Sequence, residues 1–360
     1  MPAGSSGPIS GAGGRGHGAG GGGTRPLRVG VVGAGWMAGQ HVAELQARDD
    51  VEVRGVVDLD LDRADGLAAS CGATGFASWE EMFERSPLDA VWACTPPSAH
   101  LEVARAAFAR GLHVYLEKPI ARTMADGRGV VEAAAEAGVV CAVGYQWHAL
   151  DLVADVREAL TGRRVGFVLG RNIGATKVRP WFVDRAEGGG NVLERASHHI
   201  DLVRSLAGEV ASVQVGTSSV SLGGRPPEAG DVEDALTVVL GLESGAMATI
   251  LVVWLAEGLP SSYGVDLAAD RAWLHLDLDP DFTLRGVVAG SPVRRQASSP
   301  ALRSSIQRFV AAVRKGDPGL VACRPDDALR TLEVALAAEK ALVTGMTVRV
   351  GEDRDGPRPG

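Results

Sequence analysis

The stretch "LRVGVVGAGWMAGQHVAELQAR" constrains the fold more than any other. A β-rich run ending in glycines, residues 27–35, passes directly into apolar residues at helical spacing over 36–48. Gly33-Ala34-Gly35-Trp36-Met37-Ala38 fits the pattern G-x-G-x-x-G/A. In such a turn the first glycine permits the tight reversal and the second lets backbone approach a pyrophosphate. A small residue at the last position, here Ala38, lets helix and strand pack closely. The helix N-terminus then offers free N–H groups and a partial positive charge to phosphates. A glycine-rich turn alone is a weak sign, but Asp58 ends the next β-rich run, "VEVRGVVD" (51–58). A carboxylate there accepts hydrogen bonds from the adenosine ribose and repels a 2′-phosphate, so NAD is expected over NADP. Arg63 is the group that would admit NADP, while Asp60 and Asp62 read as solvated strand-end carboxylates.

The alternation continues with a helix at 63–72, strands at 89–97 and 113–119, a helix at 99–111 between them, another at 125–138 and a strand at 139–145. Continuous apolar strands alternating with helices signify a parallel sheet covered on both faces. Residues 25–147 are therefore expected to form a doubly wound Rossmann domain of an α/β protein, binding NAD(P). After a helix at 151–162, strands dominate: 166–173, 210–220, 234–242, 246–256, 262–269 and 272–279, with a hairpin signal in "LESGAM". Helices at 302–316 and 326–345 follow, with Asp326 as N-cap and Gly345 as the terminating glycine. Residues 148–350 thus read as a second α/β domain with a large, mostly antiparallel open sheet.

A chain of 360 residues accommodates these two domains. The Gly/Ala/Ser-rich residues 1–24, with His17 among them, and residues 351–360 read as disordered tails, and the first lacks the apolar core of a secretory signal. A net charge of −8 argues against nucleic acid, and apolar runs such as 248–256 are too short to span a bilayer. Four scattered cysteines, Cys71, Cys94, Cys141 and Cys323, form no C-x-x-C and suit reduced thiols in the cytoplasm.

The segment "GGGNVLERASHHID" (188–201) concentrates proton-bearing groups at a helix start. In an α-helix from Gly190, Glu194, His198 and Asp201 share one face, and His199 points about 100° away. Three readings compete for that stripe. Charged residues on a helix are usually solvated, but the flanking Leu193, Ile200, Leu202 and Val203 indicate a buried helix. A metal site would use Glu194 and His198, without a clear third ligand at characteristic spacing. Acid/base chemistry suits a dinucleotide enzyme, because oxidising an alcohol requires an acceptor for its hydroxyl proton.

With the fingerprint, "TPPSAH" (95–100), "EKP" (117–119) and the 188–201 segment, the chain resembles the Gfo/Idh/MocA oxidoreductase family from about residue 25 to 350. The family is named for glucose–fructose oxidoreductase, inositol dehydrogenase and a rhizopine-catabolism protein. The resemblance implies a sugar, cyclitol or related polyol bound between the two domains, and a C-terminal sheet that serves oligomerisation. It implies that Lys118, otherwise a solvated strand-end cation, lies beside the reacting hydroxyl, with His198 as acid/base and Glu194 orienting substrate or histidine. Glu194 stands where relatives usually have Asp, and His148 where many have Arg. Thr95, Pro96, His100 and Glu117 are expected to border the cofactor, with a cis Lys118–Pro119 bond. Tyr145, His148, Trp181 and Asp201 are candidate substrate contacts. Asp201 has the alternative of holding the helix. Gln146 and Trp147 are further candidates to line the cleft, with core packing the alternative for Trp147. Lys177 and Arg179 are candidate loop contacts, with plain solvation as the alternative.

The expectation is a cytoplasmic NAD(P)-dependent dehydrogenase acting on CH–OH groups, without a metal, nucleic acid or membrane partner, assembled as a dimer or tetramer. The alternatives are a redox-neutral lyase or glycosidase using NAD transiently, and a non-catalytic dinucleotide sensor or scaffold.

Overall fold

The computed structural model describes residues 25–175, 188–220 and 232–351, which leaves both predicted tails almost wholly outside it. The first sheet has strands β1 (Leu27–Val32), β2 (Val51–Val57), β3 (Thr74–Phe76), β4 (Ala90–Ala93), β5 (His113–Leu116) and β6 (Cys141–Val143). They alternate with helices α1 (Trp36–Gln46), α2 (Leu61–Cys71), α3 (Trp79–Arg85), α4 (His100–Phe108) and α5 (Met124–Ala137). All pairs are parallel in the order β3-β2-β1-β4-β5-β6. The order reverses between β1 and β4, which opens a crevice beyond the carboxyl ends of these strands, the usual ligand position in such sheets.

Next come helix α6 (Asp151–Leu160), strand β7 (Val165–Gly174), helix α7 (Ser197–Ala207) and strands β8 (Val210–Ser218), β9 (Ala235–Leu242) and β10 (Met247–Trp254). Strands β11 (Ser262–Ala269), β12 (Ala272–Asp279), β13 (Thr283–Val288) and β14 (Ser291–Gln296) follow. Helices α8 (Ala301–Lys315) and α9 (Pro325–Thr344) and strand β15 (Val348–Arg349) complete the described chain. The second sheet runs β14-β13-β12-β11-β7-β10-β9-β8-β15, antiparallel throughout except for β7 against β10. Helices α6, α7 and α9 cover one face, where Val168, Val238, Leu240 and Ile250 are buried. The other face carries the alternate residues, among them Phe167, Leu169 and Leu251, which are only half-buried.

Three features depart from the sequence reading. Helix α3 was not anticipated, although Ser78 and Glu81 carry the spacing of a capping box; Ser78 Oγ accepts the Glu81 N–H at 3.3 Å. The β13–β14 hairpin was also missed. Its strands are mostly exposed and contain Gly286 and Pro292, so they lack the alternation of a half-buried strand, as edge strands often do. Finally, α9 starts at Pro325 with Arg324 at the cap, which places Asp326 in the first turn instead of at the N-cap. Gly345 ends that helix in the left-handed region, as expected.

Helix α8 returns to the first sheet. Ile306, Phe309 and Val310 join Val29, Trp92 and Tyr115 in one buried cluster. The Phe309 ring meets Trp92 edge-on at 4.9 Å and Tyr115 at 5.6 Å. Late sequence thus seals the early domain. Phe309→Ala should lower unfolding free energy by about 3–5 kcal/mol, the usual cost of emptying a buried aromatic site, measured from the denaturant midpoint.

Candidate active site

The cofactor side is built from the turn between β1 and α1. Gly33 adopts φ +94°, and a Cβ there would lie 2.6 Å from the Cys94 carbonyl oxygen, so only glycine fits. Gly35 caps α1, and no atom lies within 4 Å of where its Cβ would be. Backbone N–H groups at the helix start therefore face open space suited to a pyrophosphate. Trp36 is exposed, Met37 half-buried and Ala38 fully buried against the strand. Asp58 Oδ2 accepts the Ala34 N–H at 2.8 Å, so this carboxylate braces the glycine turn. Its Oδ1 accepts from the Asp60 N–H at 3.0 Å and the exposed Arg63 guanidinium at 2.8 Å. Thr95 and Pro96 follow β4 and are half-buried beside Gly33. His100 is fully buried, with Nδ1 2.9 Å from the Pro119 carbonyl and Nε2 3.0 Å from that of Thr95. It ties the loops after β4 and β5 together and presents no surface to a ligand.

At the end of β5 the Lys118–Pro119 bond is cis. Lys118 Nζ donates to both the Glu194 carboxylate and the Glu194 carbonyl, each at 2.8 Å. Glu194 lies in a π-helical turn, Val192–Ala196, which runs into α7. The entry to that turn depends on glycine. Gly189 has φ +75°, and a Cβ there would strike the Leu193 side chain at 2.3 Å. The regular α-helix expected from Gly190 is thus widened by a turn of a kind that recurs at functional sites. The turn shifts Glu194 relative to His198 and Asp201, which follow in regular helix, and the three side chains reach different partners. Glu194 meets Lys118. His198 lies against Trp147, ring centroids 4.8 Å apart, and edge-on to Tyr145 at 5.7 Å. Asp201 turns inward, where its Oδ2 pairs with His148 Nε2 at 2.6 Å and its Oδ1 accepts from Thr331 at 2.9 Å.

Burial, then the nearby positive charge of Lys118 and the neighbouring His199, push the His198 pKa well below its ordinary value. The imidazole is therefore neutral at neutral pH and ready to accept a proton. His199 is fully buried on another side of the helix, close to Gly170 of β7, and burial pushes it down to about 4. Burial works against the His148 imidazolium, but the charge and bond of Asp201 outweigh it and hold His148 above its ordinary pKa. His148 and Asp201 form a buried pair that anchors α7 and do not line an open cleft, contrary to the substrate-contact expectation. Tyr145 is buried too, and burial raises its hydroxyl well above the ordinary tyrosine range. Trp181, Lys177 and Arg179 lie outside the described residues.

The chain as a whole has known relatives. The sequence profile of the oxidoreductase family with an NAD-binding Rossmann fold matches residues 27–145. The profile of the GFO/IDH/MocA C-terminal domain matches residues 163–270. The chain belongs to the Gfo/Idh/MocA family. It is 26% identical to a 4-carboxy-2-hydroxymuconate-6-semialdehyde dehydrogenase of Sphingobium over 87% of this chain and 99% of that protein. It is 27% identical to the myo-inositol 2-dehydrogenase of Thermotoga maritima over 62% of this chain and 67% of that enzyme. Among solved structures, the WlbA dehydrogenase of Bordetella pertussis, in complex with NADH and UDP-GlcNAcA, superposes with a TM-score of 0.75. That pair is 25% identical and covers 90% of this chain and 99% of WlbA.

Two polar groups of this Gfo/Idh/MocA chain escaped the sequence reading. His41, on α1, is fully buried with its Nε2 2.7 Å from Glu117 Oε1. The only sign was a polar residue on the same helix face as Ala38, Val42 and Leu45, a position normally apolar. Arg195, next to Glu194, is buried and clasps the Asn172 side chain of β7 at 2.9 and 3.1 Å; burial lowers its pKa to about 10. Nothing in its local pattern separates it from a surface arginine. Among the described residues one trio, His148, Cys323 and Asp327, places its ligand atoms within 4.8 Å of one another. Its charges are already matched, His148 by Asp201 and Asp327 by Arg204 at 3.1 Å.

The Asp58–Arg63 pair makes cofactor choice testable. Asp58→Ala removes the anion that repels a 2′-phosphate and releases Arg63. The NAD/NADP ratio of kcat/KM should fall about tenfold or more, the worth of one hydrogen bond to a charged group. An unchanged ratio would remove Asp58 from the ribose site.

Proposed function

We propose that the chain is an NAD(P)-dependent dehydrogenase of a sugar, cyclitol or related polyol, working on a secondary alcohol or the corresponding ketone. The observation that carries this reading is the meeting of Lys118 and Glu194 within reach of His198, in a chain that also carries the open glycine turn. Gly33, Gly35 and Asp58 fit the dinucleotide, which supplies the hydride acceptor or donor at nicotinamide C4. A substrate hydroxyl that takes a hydrogen bond from Lys118 Nζ becomes easier to deprotonate, because the ammonium favours the developing alkoxide. The neutral His198 imidazole accepts the proton, and in the reverse direction returns it. Glu194 balances the lysine charge and holds Nζ in place until substrate arrives. Relatives named for inositol and for sugar substrates support the polyol class. Four unpaired cysteines support a cytoplasmic setting, and no helix among the described residues is long and apolar enough to cross a membrane.

We further propose a homo-oligomer, a dimer or tetramer, formed through the uncovered face of the second sheet. Exposed Met247 and Trp273 and half-buried Phe167, Leu169 and Leu251 give that face an apolar centre larger than single scattered residues would make. Sedimentation at micromolar concentration should give a dimer or tetramer; a strictly monomeric mass would contradict it.

His198→Ala should lower turnover by about 10²–10⁴, the usual contribution of general acid/base catalysis, with cofactor affinity nearly unchanged. The pH profile adds a signed check. For oxidation His198 must be neutral, and its depressed pKa keeps the parent active well into the acid range. Lys118→Met removes one positive charge that lowers His198, so the acid limb of its residual activity should move to higher pH. An acid limb that stays in place, or moves lower, would detach Lys118 from His198.

A further inference from the structure

Lys118 is fixed from one side by Glu194 and from the other by a buried pair that no part of the proposed reaction uses. Glu117 precedes it, and its carboxylate is almost fully enclosed. One oxygen, Oε2, accepts the Lys118 backbone N–H at 3.1 Å. The other, Oε1, lies 2.7 Å from His41 Nε2 on α1, the helix that starts at the glycine turn. Gly144 leaves the carboxylate its space. A Cβ on Gly144, just beyond β6, would lie 3.1 Å from its carbon and from both oxygens. His41 is held in turn by Tyr115, edge-on at 5.1 Å, whose hydroxyl meets Ser305 Oγ of α8 at 2.9 Å. His41 Nδ1 meets no hydrogen-bond partner among the described residues, so the proton that matters sits on Nε2, toward Glu117.

We propose that His41 is a positioning residue for the reaction: through Glu117 it locks the backbone of Lys118 to the helix that receives the cofactor. The inference rests on the assignment of Lys118 to the reaction and extends it to a residue remote from substrate. Its logic is geometric. The glycine turn and α1 set where the dinucleotide lies, whereas β5 and its cis peptide set where Lys118 starts. Sheet hydrogen bonds alone fix the strand, not the peptide plane after it. The Glu117 carboxylate bonds to both, so an error in one is carried to the other.

The lock requires an ionised Glu117. The titratable groups around it are His41 from α1, Cys94 after β4, His100 from α4, and Tyr115 and Lys118 on either side in sequence. Burial pushes the Glu117 carboxyl up, but the bond and charge of His41, with Lys118, outweigh it and hold the group below its ordinary value. Without His41 the effect of burial dominates, and the carboxyl titrates at higher pH. Protonation turns one of its oxygens into a donor and weakens its hold on the Lys118 N–H. A variant lacking His41 has lost the tie to α1 at every pH, and should lose further turnover as pH falls and Glu117 protonates.

The test compares the full chain with His41→Leu, which removes the donor, and His41→Gln, whose amide N–H falls near the Nε2 position. Turnover against pH, NADH affinity by fluorescence and the Glu117 carboxyl carbon resonance are read for each. His41→Leu should lose about ten- to hundredfold in kcat near neutral pH, the scale of removing an orienting partner. That loss should persist at high pH and deepen as pH falls, and the Glu117 resonance should titrate in the range where it deepens. His41→Gln should restore most of kcat. Parent-like kcat and pH profile in His41→Leu, with only thermal stability reduced, would make His41 structural and overturn the proposal. Should His41→Leu not fold, Glu117→Gln is read instead: reduced kcat with near-parent NADH affinity supports the lock, and parent-like kcat overturns it. A parent that turns over no sugar or polyol would refute the proposed function itself. An active parent with unaffected variants would refute only the role of His41.

Discussion

The contact of Lys118 Nζ with the Glu194 carboxylate and carbonyl ties the carboxyl edge of the parallel sheet to the π turn that leads into α7. Two charges that are mostly shielded from water must compensate each other, because leaving either one unpaired would cost several kcal/mol. The pair therefore fixes the position of the π turn, and with it the depth and direction of His198. Burial of most of that ring keeps it neutral, and the lysine charge beside it pushes in the same direction. One ion pair thus assembles the junction and adds to the burial that keeps His198 neutral.

Around this contact the chain uses buried histidines as braces as much as reagents. His100 joins the loops after β4 and β5, His41 grips Glu117, His148 pairs with Asp201, and His199 packs against β7. Their environments separate them: only His198 combines partial exposure with a cationic neighbour at the domain junction. Helix α8 reinforces the same frame by carrying Phe309 and Ser305 back onto Trp92 and Tyr115.

The parallel sheet, the glycine turn, the Asp58 position and the antiparallel second sheet were legible in the sequence because each rests on local periodicity or on a motif with its own mechanics. The site was legible only in its membership. Lys118 and Glu194 stand 76 residues apart, as do His41 and Glu117, and no local pattern reports such pairings. The spacing of Glu194, His198 and Asp201 suggested one shared helix face, but that inference assumed 3.6 residues per turn. The π turn breaks the assumption for Glu194, while Asp201, in the regular helix beyond it, is taken by His148 and Thr331. The paired glycines before it, Gly189 and Gly190, both at positive φ, were visible as residues but not as a change of helical pitch.

The central claim is that this junction removes a hydroxyl proton while hydride leaves the same carbinol carbon for the nicotinamide. The direct measurement is isotope tracing with a sugar or polyol deuterated at that carbon, analysing the reduced cofactor by mass spectrometry. The account predicts one deuterium carried intact into the nicotinamide ring for each ketone formed. Substrate conversion with deuterium released to water, or with no reduced cofactor accumulating, would contradict it.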